Sequence, residues 1–366
     1  MVGRLQSTRL ARRGFTLVEV LITITIIGLL TSLFLAALAA SQQQAREART
    51  KSMIARLDAV IMSRWESYRT RRVPINTTGL NPSAANGLRL LAMRELQRLE
   101  MPQRWEDVVD DPSAWPSAAP VTTTSGIPIP GLSLGYRRRF NASSVTSYNG
   151  TTTTTVATQP TSQYQGAECL YLIVTCGGLE EDVTPIDQFR GLDVGDLDRD
   201  GMPEFHDGWG NPITFLRWAP GWVSDVQPNP GWDFTTYPRV PTPQAAPAPY
   251  DFAIARHDAF DPAKLAFNLP STTDPNPRGF VLSPLIMSPG PDGILDTWHV
   301  SGDATDFPAG LLPANLNDPY YVPASAGRYP SGWPLDYNAP VPTGIPTPEG
   351  YWLDNIHNQQ LGALAK

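Results

Sequence analysis

Apolar positions are spread along this chain in three unlike ways. From Phe15 to Ala40 the run "FTLVEVLITITIIGLLTSLFLAALAA" holds a single ionisable residue, Glu19. Twenty-six helical residues reach about 39 Å, enough to cross a hydrocarbon core of about 30 Å with some tilt. A secretory apolar region is roughly half as long, and no small-residue cleavage site with a clean mature start follows this one. The segment therefore predicts a retained transmembrane helix. From Ser41 to Arg72 there is no Gly or Pro, and Met53, Leu57, Val60, Ile61, Trp65 and Tyr68 recur at three- and four-residue steps. That spacing predicts an amphipathic continuation whose apolar stripe packs on a folded body. Glu47 and Lys51 make an i,i+4 pair on it, and Pro74 marks the stop. One helix from Phe15 to about Arg72 would be about 87 Å long.

Beyond residue 73 the pattern breaks into short pieces. Residues 84–101 read as an amphipathic helix closed before Pro102. "ECLYLIVTCGG" is apolar at 169, 172, 173 and 176 and ends on two glycines, which favours a buried helix over a strand. "PITFLRW" (212–218) and "GFVLSPLIM" (279–287) read as strands. The Thr-rich runs "VTTTSG" and "TTTTTVATQPTSQ" read as exposed loops. Residues 237–249 and "APVPTGIPTPEG" (339–350) read as Pro-rich surface connections. No internal repeat is present. The expected class is α+β: a long N-terminal helix packed on a small antiparallel sheet with long, loop-rich insertions.

Charge sharpens this division. Residues 1–72 carry twelve Lys/Arg against four acids, whereas residues 73–366 carry sixteen against thirty-one. Arg4, Arg9, Arg12 and Arg13 precede the apolar run without an acid among them, which holds that end in the cytoplasm. An acidic body argues against nucleic acid as a partner, because phosphate binding needs a basic face. With 37 prolines and 17% charged residues in 366, the body suits an extracytoplasmic, loop-rich domain. Its two cysteines, Cys169 and Cys176, lie seven residues apart. A helix separates them by about 10.5 Å and a strand by more, beyond the roughly 7 Å reach of a disulfide, so both are expected as buried free thiols.

"RRGFTLVEVL" resembles the processing site of type IV prepilins and type II secretion pseudopilins: a basic leader, Gly, then Phe-Thr-Leu-x-Glu opening a long apolar helix. The resemblance implies that a prepilin peptidase cuts between Gly14 and Phe15 and that the new Phe15 amine is methylated. It makes Glu19 the assembly residue, paired with the Phe15 amine of a neighbouring subunit. The resulting divisions are a leader (1–14), a transmembrane and filament-core helix (15–40), its amphipathic continuation (41–72) and an extracytoplasmic pilin-like domain (73–366). Implied partners are copies of the chain, other pilin-like subunits, the peptidase and methylase, an inner-membrane assembly platform and membrane lipid. Many pilins carry Pro in the second half of this helix. Here that stretch is "TSLFLAALAA", and Gly28 is the only helix breaker.

The densest chemistry lies in "DVGDLDRDGMPEFHDGWGNP". Asp196, Asp198, Asp200, Glu204 and Asp207 stand at positions 1, 3, 5, 9 and 12, with Gly201 at 6, the spacing of an EF-hand calcium loop. Position 12 departs by being Asp rather than Glu, and "WGNPITF" leads into a strand, so no full EF-hand is implied. Hard carboxylate oxygens favour Ca²⁺ over a transition metal. A solvated Asp-rich turn is the other reading of the same residues. "DGWGNPITF" also resembles the Asp-x-Trp-Gly-x-Pro segment of major pseudopilins, with Trp209, Gly210 and Pro212 as turn residues. "SPGPDGILDT" (288–297) resembles their Ser-x-Gly-x-Asp-Gly calcium loop, which makes Asp292 and Asp296, helped by Asp303 or Asp306, a second candidate site. The long insertions between these motifs depart from that compact family.

Catalysis finds no motif. His206, His257, His299 and His357 show no metalloprotease spacing, and neither G-x-S-x-G nor a phosphate-cradling loop occurs. The expected function is a structural, non-enzymatic filament subunit at the bacterial inner membrane with a periplasmic or extracellular body. The competing expectation is a membrane-anchored, calcium-binding surface or adhesion protein that does not polymerise.

Overall fold

The computed structural model describes residues 16–149, 151–177, 189, 193–219, 222, 224, 226–227, 232–233, 242–243, 257–265, 279–295, 319 and 355–359. Gly14, Phe15, Asp296, Asp303, Asp306, His299 and the Pro-rich segment 339–350 lie outside them, as does all of 237–249 except 242–243. The chain divides into two units, residues 1–48 and 49–366.

Helix α1 runs over Leu17–Ser67. Thr16 precedes it, and its hydroxyl accepts the backbone N–H of Glu19 at 3.2 Å. A threonine followed three residues later by Glu is the pattern that satisfies orphan N–H groups at a helix start, and an acid in the first turn suits the helix dipole. Within the first unit every residue from Thr16 to Arg46 is exposed, including Leu17, Ile27, Leu33 and Phe34.

In the second unit the expected stripe is the buried one: Met53, Leu57, Val60, Ile61, Trp65 and Tyr68, joined by Ile54, are each at most 5% exposed. The helix stops at Ser67, short of the expected Arg72. Tyr68 is pulled into the core, where its hydroxyl donates to Glu100 at 3.0 Å, and Arg71 reaches the same carboxylate at 2.5 and 2.7 Å. Two ties to one buried acid turn the chain before Pro74 can act.

Helix α2 (Pro82–Glu100) begins where the Asn81 side chain accepts the N–H of Ala84 at 2.8 Å. Helix α3 covers Gly131–Asn141 and α4 covers Gln165–Cys176, the latter the buried helix expected from its apolar spacing. Cys169 is a buried free thiol as expected, whereas Cys176, also free, is only half-buried. The main core joins α1 and α2 to Leu170, Ile173 and Val174 of α4 and to Phe205, Ile213, Phe215, Ile286 and Ile356.

The strands are short. β1 (Ser144–Tyr148) and β2 (Thr153–Ala157) form an antiparallel hairpin, β2 exposed throughout. Within the Thr-rich run 151–163, expected as an exposed loop, Thr153–Ala157 is exposed but is a strand, whereas 158–163 is irregular and its Pro160 is buried. A run of β-branched side chains favours the strand geometry. β3 (Val194–Gly195) pairs with β4 (Glu204–Phe205), and β5 is Thr214–Leu216. β6 (Trp232–Asp233) pairs with β7 (Thr242–Pro243). β8 (Leu285–Ser288) lies between β5 and β9 (Ile356–His357) in a buried antiparallel sheet of order β5-β8-β9. The strand expected over 279–287 is realised only from Leu285 onward. Just before it, the Pro284 carbonyl accepts from the Asn358 side chain at 3.1 Å.

A buried charge cluster braces the segment after α2 against β5. Asp107, fully buried, accepts from Arg217 at 3.0 Å and from the N–H of Gln103 at 3.1 Å, with Arg104 and Arg98 at 3.6 and 4.0 Å. Burial alone would raise its pKa, but the guanidinium groups of Arg217, Arg104 and Arg98 win, and it is held below the usual carboxylate range.

Candidate functional sites: an apolar helix and an acidic cluster

The first candidate is the helix start. Glu19 sits in the first turn of α1, the only ionisable residue among the described part of the apolar run. Among the described residues one helix is long and apolar enough to cross a membrane, and it is this one. Side chains such as Leu29, Leu33 and Phe34, more than 60% exposed, make an apolar surface of the kind that marks a membrane or protein contact.

The second candidate is the acidic loop between β3 and β4. Asp196 closes it by accepting the N–H groups of Asp200 and Gly201 at 3.0 and 3.1 Å. The turn needs Arg199 and Gly201 at positive φ, 63° and 92°. At Gly201 a Cβ would lie 2.5 Å from the Ser144 backbone N, so only Gly fits. Asp200 accepts from Met202 N–H at 2.8 Å and from Thr161 N–H, and Asp198 accepts the Thr161 hydroxyl at 2.6 Å. Glu204, fully buried, accepts Leu197 N–H at 2.6 Å through one oxygen.

Asp207 is placed elsewhere. One of its oxygens accepts Trp209 N–H and Asn211 N–H at 2.8 and 2.9 Å, and the other accepts the Ser288 hydroxyl at 2.6 Å. It organises the turn in which Gly210 takes φ 94°, Trp209 packs against the main core and Pro212 bridges to His206. The Asn211 amide donates to the Gly290 carbonyl at 2.8 Å, so "DGWGNP" and "SPGPDG" meet. Asp292 is exposed in the second of these, its carboxylate accepting Ile294 N–H at 2.9 Å.

What the fold adds to Asp198 and Asp200 is Glu168, from the first turn of α4. Carboxylate oxygens of Glu168, Asp198 and Asp200 lie within 4.8 Å of one another. The sequence signal for Glu168 was faint: one acid beside the apolar stripe of a buried helix. Burial first, then the charges of Asp200 and Asp198, push its pKa well above the carboxylate range. Burial likewise raises Asp200, and it lifts Glu204 to about 8. His206 is half-buried, its ring facing the carbonyl of Asp207 at 3.3 Å.

The prokaryotic N-terminal methylation motif matches residues 9–35. The chain carries the type IV prepilin and pseudopilin signature. The match ends inside α1, and the motif belongs to structural subunits rather than enzymes. No curated protein and no solved structure matches the chain. The matched residues include Gly14, Phe15 and Glu19. Together with the long helix and small antiparallel sheets it fits a pilin-like, membrane-anchored subunit.

Proposed function

We propose that the chain is a pilin-like or pseudopilin subunit of a type II secretion or type IV pilus-type envelope filament. The observation that carries this reading is the methylation motif opening onto an exposed apolar run, through Ala40, whose sole carboxylate is Glu19. In this reading the leader holds the N-terminus in the cytoplasm, prepilin peptidase cuts after Gly14, and the Phe15 amine is methylated. Subunits then leave the lipid and pack through residues 15 to about 50, while the body faces the periplasm or exterior.

Glu19 has a physical role in that process. Cleavage creates an α-amino cation at the end of an apolar helix, where a lone charge is costly but a matched pair is tolerated. Glu19 of one subunit pairs with Phe15 of the next, and the pair fixes register more than it adds stability. A hard divalent cation, calcium in the first instance, holds the acidic loop of each body.

Cysteines placed in residues 20–40, with Cys169 and Cys176 as the background, test assembly. A polymer gives cross-linked ladders in native envelopes, and Glu19→Ala abolishes or misregisters them. Monomers only, with the protein inserted, would favour a tethered surface protein that never polymerises.

A further inference from the structure

We infer that the cation site is not confined to the loop: Glu168 of α4 joins Asp198 and Asp200 as a ligand, so that one bound divalent cation ties helix α4 to the acidic loop. This rests on the calcium reading of the loop and is independent of filament assembly. The twelve-residue spacing has Asp207 as its closing ligand, but that carboxylate organises the turn at Trp209 and holds Ser288. The closing position is taken by a residue 39 places earlier in the chain.

The observation that points to a ligand is Glu168 itself. It is fully buried, and among the described residues no donor reaches either of its carboxylate oxygens. Asp198 Oδ1 and Glu204 Oε2 are buried without a donor as well. Four buried acceptor oxygens therefore face one acidic region, and no Lys, Arg or His among the described residues forms an ion pair with Glu168, Asp196, Asp198, Asp200 or Glu204. A buried carboxylate with neither donor nor counter-charge is costly, and a cation relieves both deficits at once. The donor set is all oxygen with no thiolate or imidazole, which suits Ca²⁺; three or more carboxylates and a flexible loop fit its 6–8 ligands better than the strict octahedron of Mg²⁺. Asp198 is only half-buried, which leaves the ion a route from solvent.

The bound cation would also order the base of the exposed hairpin. Thr161, which donates to Asp198 and Asp200, lies between β2 and α4, and Gly201 abuts the backbone of Ser144 at the start of β1. One ion thus sets where β1–β2 leaves the body. A proton shared between Glu168 and Asp200 is the rival way of neutralising the pair.

The test uses the full chain in detergent, stripped with chelator and titrated with Ca²⁺ and, separately, Mg²⁺, with metal counted by elemental analysis and melting followed in parallel. The expected result is one Ca²⁺ per chain and a rise in Tm that Mg²⁺ does not match. Glu168→Gln should lose affinity by about tenfold or more, while its metal-free form melts no lower than the metal-free parent. Asp198→Asn, at a half-exposed position, should lose the same Ca²⁺ response and serves if Glu168→Gln fails to fold. No bound metal and no Tm response in the parent would overturn the proposal in favour of the shared proton. A full Ca²⁺ response in Glu168→Gln would overturn the α4 ligand. Neither failure touches N-terminal processing, which is read separately by mass.

Discussion

Ser288 donates its hydroxyl to Asp207 across 2.6 Å, joining two turns 81 residues apart in the chain. One oxygen of Asp207 sets the "DGWGNP" turn through two backbone N–H groups, and the other fastens that turn to the end of β8. The sheet and the acidic loop thereby share one anchor. Ser288→Ala should cost about 1–2 kcal/mol, since Asp207 keeps its backbone donors. Asp207→Ala strands those N–H groups as well and should cost about 3 kcal/mol or more. Denaturant unfolding of both variants checks the order, and equal losses would show that the turn does not depend on the carboxylate.

Asp107 predicts a larger effect. It is the acid at the centre of Arg98, Arg104 and Arg217, all four at most 4% exposed. Asp107→Ala leaves buried guanidinium charge uncompensated and should cost about 3–5 kcal/mol. Arg217→Met with Asp107→Leu, replacing charge by apolar volume, should recover part of that loss in a double-mutant cycle.

Position 201 tests the backbone of the acidic loop. Gly201→Ala must adopt φ 92° and place a methyl 2.5 Å from the Ser144 nitrogen. Strain and displacement together should cost about 2–4 kcal/mol. Since the loop must move to relieve them, the Ca²⁺ response should weaken too, whereas Gly28→Ala, with nothing within 4 Å of the new methyl, should be silent in the body.

His357 predicts a pH dependence away from the acidic cluster. It lies on β9, edge-to-face with Trp222 at 4.8 Å, and burial lowers its pKa from 6.5 to about 4. The folded state thus favours the neutral ring. Its contribution is complete above pH 6.5 and is lost as pH falls from there toward 4, because only the unfolded chain takes up the proton in that window. The loss should approach about 2–3 kcal/mol near pH 4. His357→Phe should flatten that part of the Tm–pH curve, and an unchanged curve would contradict the assignment.

Local patterns were legible where a single element's own contacts decide its structure. The stripe from Met53 to Tyr68 and the apolar face of α4 are periodic within one helix, so spacing alone located them. The Gly201 turn was legible because only Gly tolerates that backbone. Glu168 and Asp207 were not, because their roles depend on which segments fold together. Helix α4 and the β3–β4 loop converge only in three dimensions, and Ser288 reaches Asp207 across the sheet. The end of α1 moved for the same reason: Glu100 captures Tyr68 and Arg71 before the proline. The threonine hairpin was hidden because it lacks the apolar alternation that marks a half-buried strand.

Everything proposed for the N-terminal unit depends on a free amine at Phe15 to meet Glu19. Intact-mass and N-terminal peptide analysis of the protein from native envelopes reads it directly. The account predicts a chain that begins at Phe15, lacks residues 1–14 and carries one added methyl on its α-amine. A native chain that still begins at Met1 would contradict it.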